Sequence, residues 1–187
     1  EAHMNMGNAF KDQGKLEEAI EAYKKALSIK PDFAEAHMNM GNAFKDQGKL
    51  EKAIESYKKA LSIKPDFAEA HINMGNTLTQ QDKLKEAIKA YDKAVLHKPD
   101  DAEVYNNMGI VFKKQSKLEK AIESYKKAIS IRPDFPGAYN NLGNSLYNQG
   151  KLKESIKTYK KAISIKPDFA EAHMNMGNAF KDQGKLE

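Results

Sequence analysis

The chain has 187 residues, 40% of them apolar, no cysteine and a net charge of +5. This apolar fraction can bury a core, so the composition excludes a disordered chain, and the lack of cysteine excludes disulfides and thiolate metal sites. Basic and acidic residues are interspersed, and no apolar run approaches the roughly 20 residues of a membrane span, so we expect neither a nucleic-acid nor a membrane partner.

Proline and glycine recur along the whole chain with one spacing. The prolines lie 34 residues apart, at Pro31, Pro65, Pro99, Pro133 and Pro167. A 34-residue period with a small residue, an aromatic residue and a proline at fixed offsets predicts an array of helix-turn-helix repeats. The predicted repeats are 1–33, 34–67, 68–101, 102–135 and 136–169, followed by a half repeat at 170–187.

Each repeat is predicted to contain an A helix, a turn and a B helix. Asp32 with Glu35, and the equivalent pair in most copies, predicts an acidic capping box at the start of the A helix. The turn glycine predicts a left-handed cap at the end of the A helix. This glycine is Gly14, Gly48, Gly150 or Gly184, and it is replaced by Asp82 and Ser116, where we expect slight strain. Proline ends the B helix.

The letters NMGNAFKDQGKLEEAI, followed by AYKKALSIKPDF, resemble the tetratricopeptide repeat. In the second copy the matching positions are Gly41, Ala53, Tyr57, Ala60 and Pro65. The resemblance covers the whole chain and implies an all-α fold, a right-handed superhelical solenoid of about 11 helices whose A helices line a concave groove. It also implies peptide or protein binding without chemistry, so we expect no catalytic residue, metal or cofactor.

The helical angle separates two stripes on the A helix, with positions counted so that Ala34 is position 1. Positions 4, 8 and 11 form one stripe, which we expect to pack against the B helix. Position 4 is histidine in His3, His37, His71 and His173 but tyrosine in Tyr105 and Tyr139. A packing ring tolerates that exchange and a metal ligand does not, so these histidines are interpreted as packing residues.

Positions 6 and 9 lie on the opposite stripe and are rich in asparagine. Position 6 is asparagine in all six copies, namely Asn5, Asn39, Asn73, Asn107, Asn141 and Asn175. Position 9 is asparagine in five, namely Asn8, Asn42, Asn76, Asn144 and Asn178, with Ile110 as the exception. An amide both donates and accepts hydrogen bonds, so a ladder of amides can hold an extended peptide backbone. Alternatively, the amides bond to one another or to nearby backbone.

The ladder also resembles the repeat arm of O-linked N-acetylglucosamine transferases, in which position-6 asparagines hold a peptide backbone. Ligand specificity is predicted for positions 5 and 12, which flank the ladder. These residues are Met38, Ile72, Asn106 and Asn140 at position 5, and Lys45, Thr79, Lys113 and Tyr147 at position 12.

Three functions stay open at this stage. The first is a non-enzymatic scaffold that binds an extended peptide or protein segment in the groove. The second is a substrate-recognition arm of a larger enzyme, such as a glycosyltransferase. The third is a self-assembling array, because the two ends repeat ordinary copies and are expected to stack head to tail.

Overall fold

The computed structural model describes residues 1–184. Eleven α-helices occupy this part of the chain, which confirms the predicted all-α repeat fold. The A helices are α1 (Ala2–Asp12), α3 (Ala34–Asp46), α5 (Ala68–Gln80), α7 (Ala102–Lys114), α9 (Pro136–Asn148) and α11 (Ala170–Asp182). The B helices are α2 (Leu16–Ile29), α4 (Leu50–Ile63), α6 (Leu84–His97), α8 (Leu118–Ile131) and α10 (Leu152–Ile165). No helix in residues 1–184 is long and apolar enough to cross a membrane.

The helices form two compact units. The first spans residues 1–99 and holds α1 to α6, and the second begins at Asp100 and holds α7 to α11. Within each unit, the A and B helices of one repeat pack together, and α2, α4, α8 and α10 also pack against the next A helix. Each repeat is therefore buried mainly by its immediate neighbours, as expected for a repeat array.

A tyrosine from each B helix fills the centre of its repeat. Tyr23, Tyr57, Tyr91, Tyr125 and Tyr159 are at most 1% exposed. The ring lies directly on the position-8 glycine of the A helix: a Cβ on Gly41 would lie 2.6 Å from Cε1 of Tyr57. Such a distance is far below van der Waals contact, so glycine is required for this close approach. The predicted packing role of position 8 is confirmed in α1, α3, α5, α7 and α9.

The turns after the A helices adopt the predicted left-handed conformation. The turn glycines have φ between 72° and 75°, and Asp82 and Ser116, which replace them, have φ of 57° and 59°. Residues with a Cβ rarely adopt this conformation, so these two turns are the strained ones.

The predicted acidic capping boxes are wrong for the A helices. The cap residue is a phenylalanine, Phe33 in α3 and Phe67 in α5, and it makes no side-chain cap hydrogen bond. A basic side chain lies over this ring instead, as in Lys64 Nζ, 4.7 Å from the ring centroid of Phe67. The exception is α7, in which Asp101 takes the phenylalanine position and accepts hydrogen bonds from the backbone N–H groups of Glu103 and Val104.

Candidate functional site

The position-6 asparagines are partly accessible, and several of them connect neighbouring A helices. In the first unit, Asn39 Nδ2 donates to Asn8 Oδ1 at 3.0 Å. In the second unit, Asn141 Nδ2 donates to Asn106 Oδ1 at 3.0 Å, and Asn175 Nδ2 donates to Asn140 Oδ1 at 3.1 Å. The amides therefore do bond to one another, which was the alternative to a ligand-holding ladder.

These amide–amide bonds use only part of the hydrogen-bonding capacity of position 6. Each amide carries two N–H groups and one carbonyl oxygen with two lone pairs. One N–H of Asn39, Asn141 and Asn175 is engaged, while their carbonyl oxygens receive no donor within residues 1–184. Asn73 makes no side-chain hydrogen bond to the described part of the chain. All four side chains are half-buried, so their free groups remain accessible.

The position-9 asparagines hold the buried tyrosines. Tyr23 donates its hydroxyl hydrogen to Asn8 Oδ1 at 2.7 Å, and Tyr57 donates to Asn42 Oδ1 at 2.8 Å. The same bond recurs from Tyr91 to Asn76 and from Tyr159 to Asn144, at 2.7 Å in both cases. Position 9 was predicted as part of the peptide-binding ladder, and its carbonyl oxygen also satisfies a buried hydroxyl and ties the A helix to the B helix.

The fourth repeat breaks this pattern. Ile110 occupies position 9, and Tyr125 Oη is buried without a hydrogen-bond partner in the described part of the chain. Burial raises the pKa of Tyr125, as it does for Tyr57, Tyr91 and Tyr159. It raises the pKa of Tyr23 to about 12. These hydroxyls therefore stay protonated at neutral pH, and only that of Tyr125 lacks the amide that would accept its hydrogen.

Three of the position-5 residues predicted to set specificity are buried. Met38 is 5% exposed, Asn106 9% and Asn140 2%. Asn106 and Asn140 act as acceptors for the next position-6 amide, and Asn140 Nδ2 also donates to Glu171 at 2.9 Å. Asn106 and Asn140 therefore hold the position-6 amides in place from buried positions. Ile72 is half-buried and is the one position-5 candidate of the four with appreciable accessible surface.

The position-12 residues differ from copy to copy. The hydroxyl of Thr79 donates to the Gly75 carbonyl at 2.8 Å, and the hydroxyl of Tyr147 donates to Asp182. Lys45 and Lys113 are half-buried and have no carboxylate partner within residues 1–184. Among these four residues, the two lysines are thus available to an acidic ligand.

The position-4 histidines bond to the backbone. Nε2 lies 3.0 Å from the Pro31 carbonyl in His37, 2.9 Å from the Pro65 carbonyl in His71, and 2.9 Å from the Pro167 carbonyl in His173. His37 and His71 are buried, as predicted for packing rings. The bond to the proline carbonyl, which fixes the loop before the A helix, was not predicted.

Sequence reasoning missed the tyrosines as partners of the asparagines. A signal for them was present, because Asn8 and Tyr23 are 15 residues apart and the same pair recurs in most copies. A buried hydroxyl nearly always has a hydrogen-bond partner, so a recurring buried tyrosine predicts a recurring acceptor.

The family described as the C-terminal domain of cilia and flagella-associated protein 70, a tetratricopeptide-repeat family, matches residues 1–187. A comparison with curated protein sequences gives no match.

Three solved structures show the similarity of fold. MamA is 32% identical, with a TM-score of 0.83 over 89% of this chain and 97% of its own. YrrB, described as a TPR protein with an unusual peptide-binding site, is 23% identical, with a TM-score of 0.79 over 92% of this chain and 89% of its own. PilF from Pseudomonas aeruginosa is 23% identical, with a TM-score of 0.86 over 98% of this chain and 84% of its own. The chain therefore belongs to the tetratricopeptide-repeat family, in the group represented by the C-terminal domain of cilia and flagella-associated protein 70.

Proposed function

We propose that the chain is a non-enzymatic scaffold that binds an extended peptide or protein segment along its A helices, with the position-6 asparagines holding the peptide backbone. One observation carries the proposal: Asn39, Asn73, Asn141 and Asn175 are half-buried and keep amide groups without a partner within residues 1–184. Membership of the tetratricopeptide-repeat family supports the binding of peptides, as does the peptide-binding site described for YrrB.

The bonds between amides strengthen this proposal. A side chain that already donates to its neighbour is fixed in one orientation, so it loses little further entropy when a ligand binds. Asn39, Asn141 and Asn175 are held in this way. Neighbouring helices lie about 8–10 Å apart, a distance that about three residues of extended peptide span. Each amide would thus meet about every third peptide residue.

Position 12 gives this face its charge preference. Lys45 and Lys113 are half-buried cations without a carboxylate partner in the described residues. A peptide with acidic side chains beside its bound backbone would pair with them, whereas a basic peptide would be repelled. We therefore infer that the chain binds the backbone of a peptide and prefers peptides with acidic side chains.

The test compares position 6 with position 9. Peptides are first selected from a random display library against the intact chain, and their affinity is then measured by fluorescence anisotropy. We expect the double variant Asn39→Ala/Asn73→Ala to weaken binding of each selected peptide about tenfold, since two hydrogen bonds of about 0.5–1.5 kcal/mol each are lost. The far-ultraviolet circular dichroism spectrum should be unchanged.

Asn42→Ala is the matched control because it removes an amide at position 9 that holds Tyr57. It should lower the unfolding temperature more than Asn73→Ala while leaving peptide affinity within about twofold, since the contacts that we propose are made by position 6. Unchanged affinity in the position-6 double variant would reject the ladder as a binding site. When the peptide bonds of the ligand are N-methylated one at a time, binding should weaken at about every third residue and not at the residues between.

A further inference from the structure

A second groove lies in the first unit, between α4 and α6, on the face of α5 opposite Asn73. Its floor is formed by Ile54, Met74, Leu78 and Ala90, and its volume is about 390 Å³. This size falls at the lower end of the range for ligand pockets, about 300–1,000 Å³. The floor is apolar and shares no residue with the asparagine ladder.

In the groove one repeat earlier, position 11 is Phe44, and a lysine covers its ring: Lys52 Nζ lies 5.9 Å from the ring centroid. A lysine covers position 11 in the fourth repeat too, where Lys120 Nζ lies 5.8 Å from the ring centroid of Phe112. At the α4–α6 groove, position 11 is Leu78 and Glu86 replaces the covering lysine.

Met74 is the accessible part of this floor, since Ile54, Leu78 and Ala90 are each at most 7% exposed. Met74 at position 7 is half-buried, whereas its equivalents Met40 and Met108 are each only 8% exposed. A methionine side chain is flexible and polarizable, so it adapts to an apolar group placed against it.

The rim of this groove is basic. Lys58 on α4 and Lys89 and Lys93 on α6 line it, with Glu86 as the acidic residue among the lining side chains. None of these three lysines lies within 4.0 Å of a carboxylate oxygen in residues 1–184. In the groove one repeat earlier, position 22 is Glu55 where this groove has Lys89, and Lys24 is neutralised by Glu21 at 2.7 Å.

We propose that the groove between α4 and α6 is a second docking site, for an acidic peptide segment that carries bulky apolar side chains. The apolar side chains enter the floor beside Met74, and the carboxylates pair with Lys58, Lys89 and Lys93 on the rim. Charge complementarity selects this occupant, because a partly accessible methionine ringed by unpaired cations attracts apolar groups flanked by acids. A partner could then be held on two faces of the first unit at once.

The experiment uses a synthetic peptide with a Leu-Phe pair flanked on both sides by glutamates, added to the intact chain. Methionine methyl NMR reports the location of binding, with the Met74 signal assigned from a Met74→Leu variant. We expect the peptide to shift the Met74 signal and to leave that of Met40 in place. Peptides with glutamine for glutamate, or with serine for Leu-Phe, should each bind at least about tenfold more weakly.

Two variants with the same change of charge separate a specific site from general attraction. Lys89→Glu introduces the glutamate that three other copies carry at position 22, so it is compatible with the fold, and it should weaken peptide binding about tenfold or more. Lys25→Glu, on α2 and outside this groove, should leave the affinity within about twofold. The proposal would be overturned if both variants lost the same peptide affinity, or if the peptide did not shift the Met74 signal. It would also be overturned if the variant Asn39→Ala/Asn73→Ala no longer bound this peptide.

Discussion

The glycine at position 8 controls how closely two helices of a repeat approach one another. A Cβ on Gly41 would lie 2.6 Å from the Tyr57 ring, whereas one on Gly177 would meet nothing within 4 Å. The two glycines occupy the same thirteen-residue helical sequence, AEAHMNMGNAFKD, in α3 and α11. Only the surroundings differ, so this pair isolates the packing of glycine from its helix propensity.

We expect Gly41→Ala to lower the free energy of unfolding by about 1–3 kcal/mol, because the added methyl group forces Tyr57 out of its position. Gly177→Ala should raise the free energy of unfolding by about 0.5–1 kcal/mol, because alanine is the better helix former and finds open space. Urea unfolding followed by circular dichroism measures both values. If both variants were more stable than the original chain, contact with the Tyr57 ring would not explain why position 8 is glycine.

At the scale of the element, the tyrosine–asparagine bond joins the A and B helices. Tyr57→Phe removes a 2.8 Å bond and leaves Asn42 Oδ1 without its donor, so we expect a loss of about 0.5–1.5 kcal/mol in the free energy of unfolding. Tyr125→Phe removes a buried hydroxyl that has no partner in the described residues, so we expect no loss or a small gain. Urea unfolding of the two variants checks this difference, and equal losses would show that Tyr125 Oη does have an acceptor.

The helices themselves were predictable from the period. Their ends are marked by residues with strong local conformational preferences, namely proline after the B helix and glycine or its substitutes after the A helix. The caps were not predictable in the same way, because Phe33 and its equivalents occupy the cap position through packing and through the cation over the ring. Among the A helices of residues 1–184, only α7 begins at a side-chain cap, where Asp101 replaces the phenylalanine and accepts backbone hydrogen bonds.

The candidate site was predictable in part. The helical angle placed position 6 on an accessible face, and Asn39, Asn73, Asn141 and Asn175 do keep accessible amides. The same angle could not show that position 5 is buried, because the cover of Asn140 depends on contacts such as that with Glu171 from the next repeat. Nor could it assign Asn42 to Tyr57, since that bond depends on the packing of one helix against another.

At the scale of the whole molecule, the buried tyrosines link stability to pH in both units. Burial raises the pKa of Tyr23 to about 12, and that of Tyr57, Tyr91, Tyr125 and Tyr159 also lies above the ordinary value of 10.0. Above pH 10 the unfolded chain loses these protons while the folded chain keeps them. The contribution of these tyrosines to the free energy of unfolding is therefore fully present below pH 10 and is lost as pH rises through the folded pKa values. We expect phenolate absorbance from these tyrosines to appear together with the loss of helical circular dichroism. Full ionisation of all eight tyrosines near pH 10 with helicity intact would contradict this linkage.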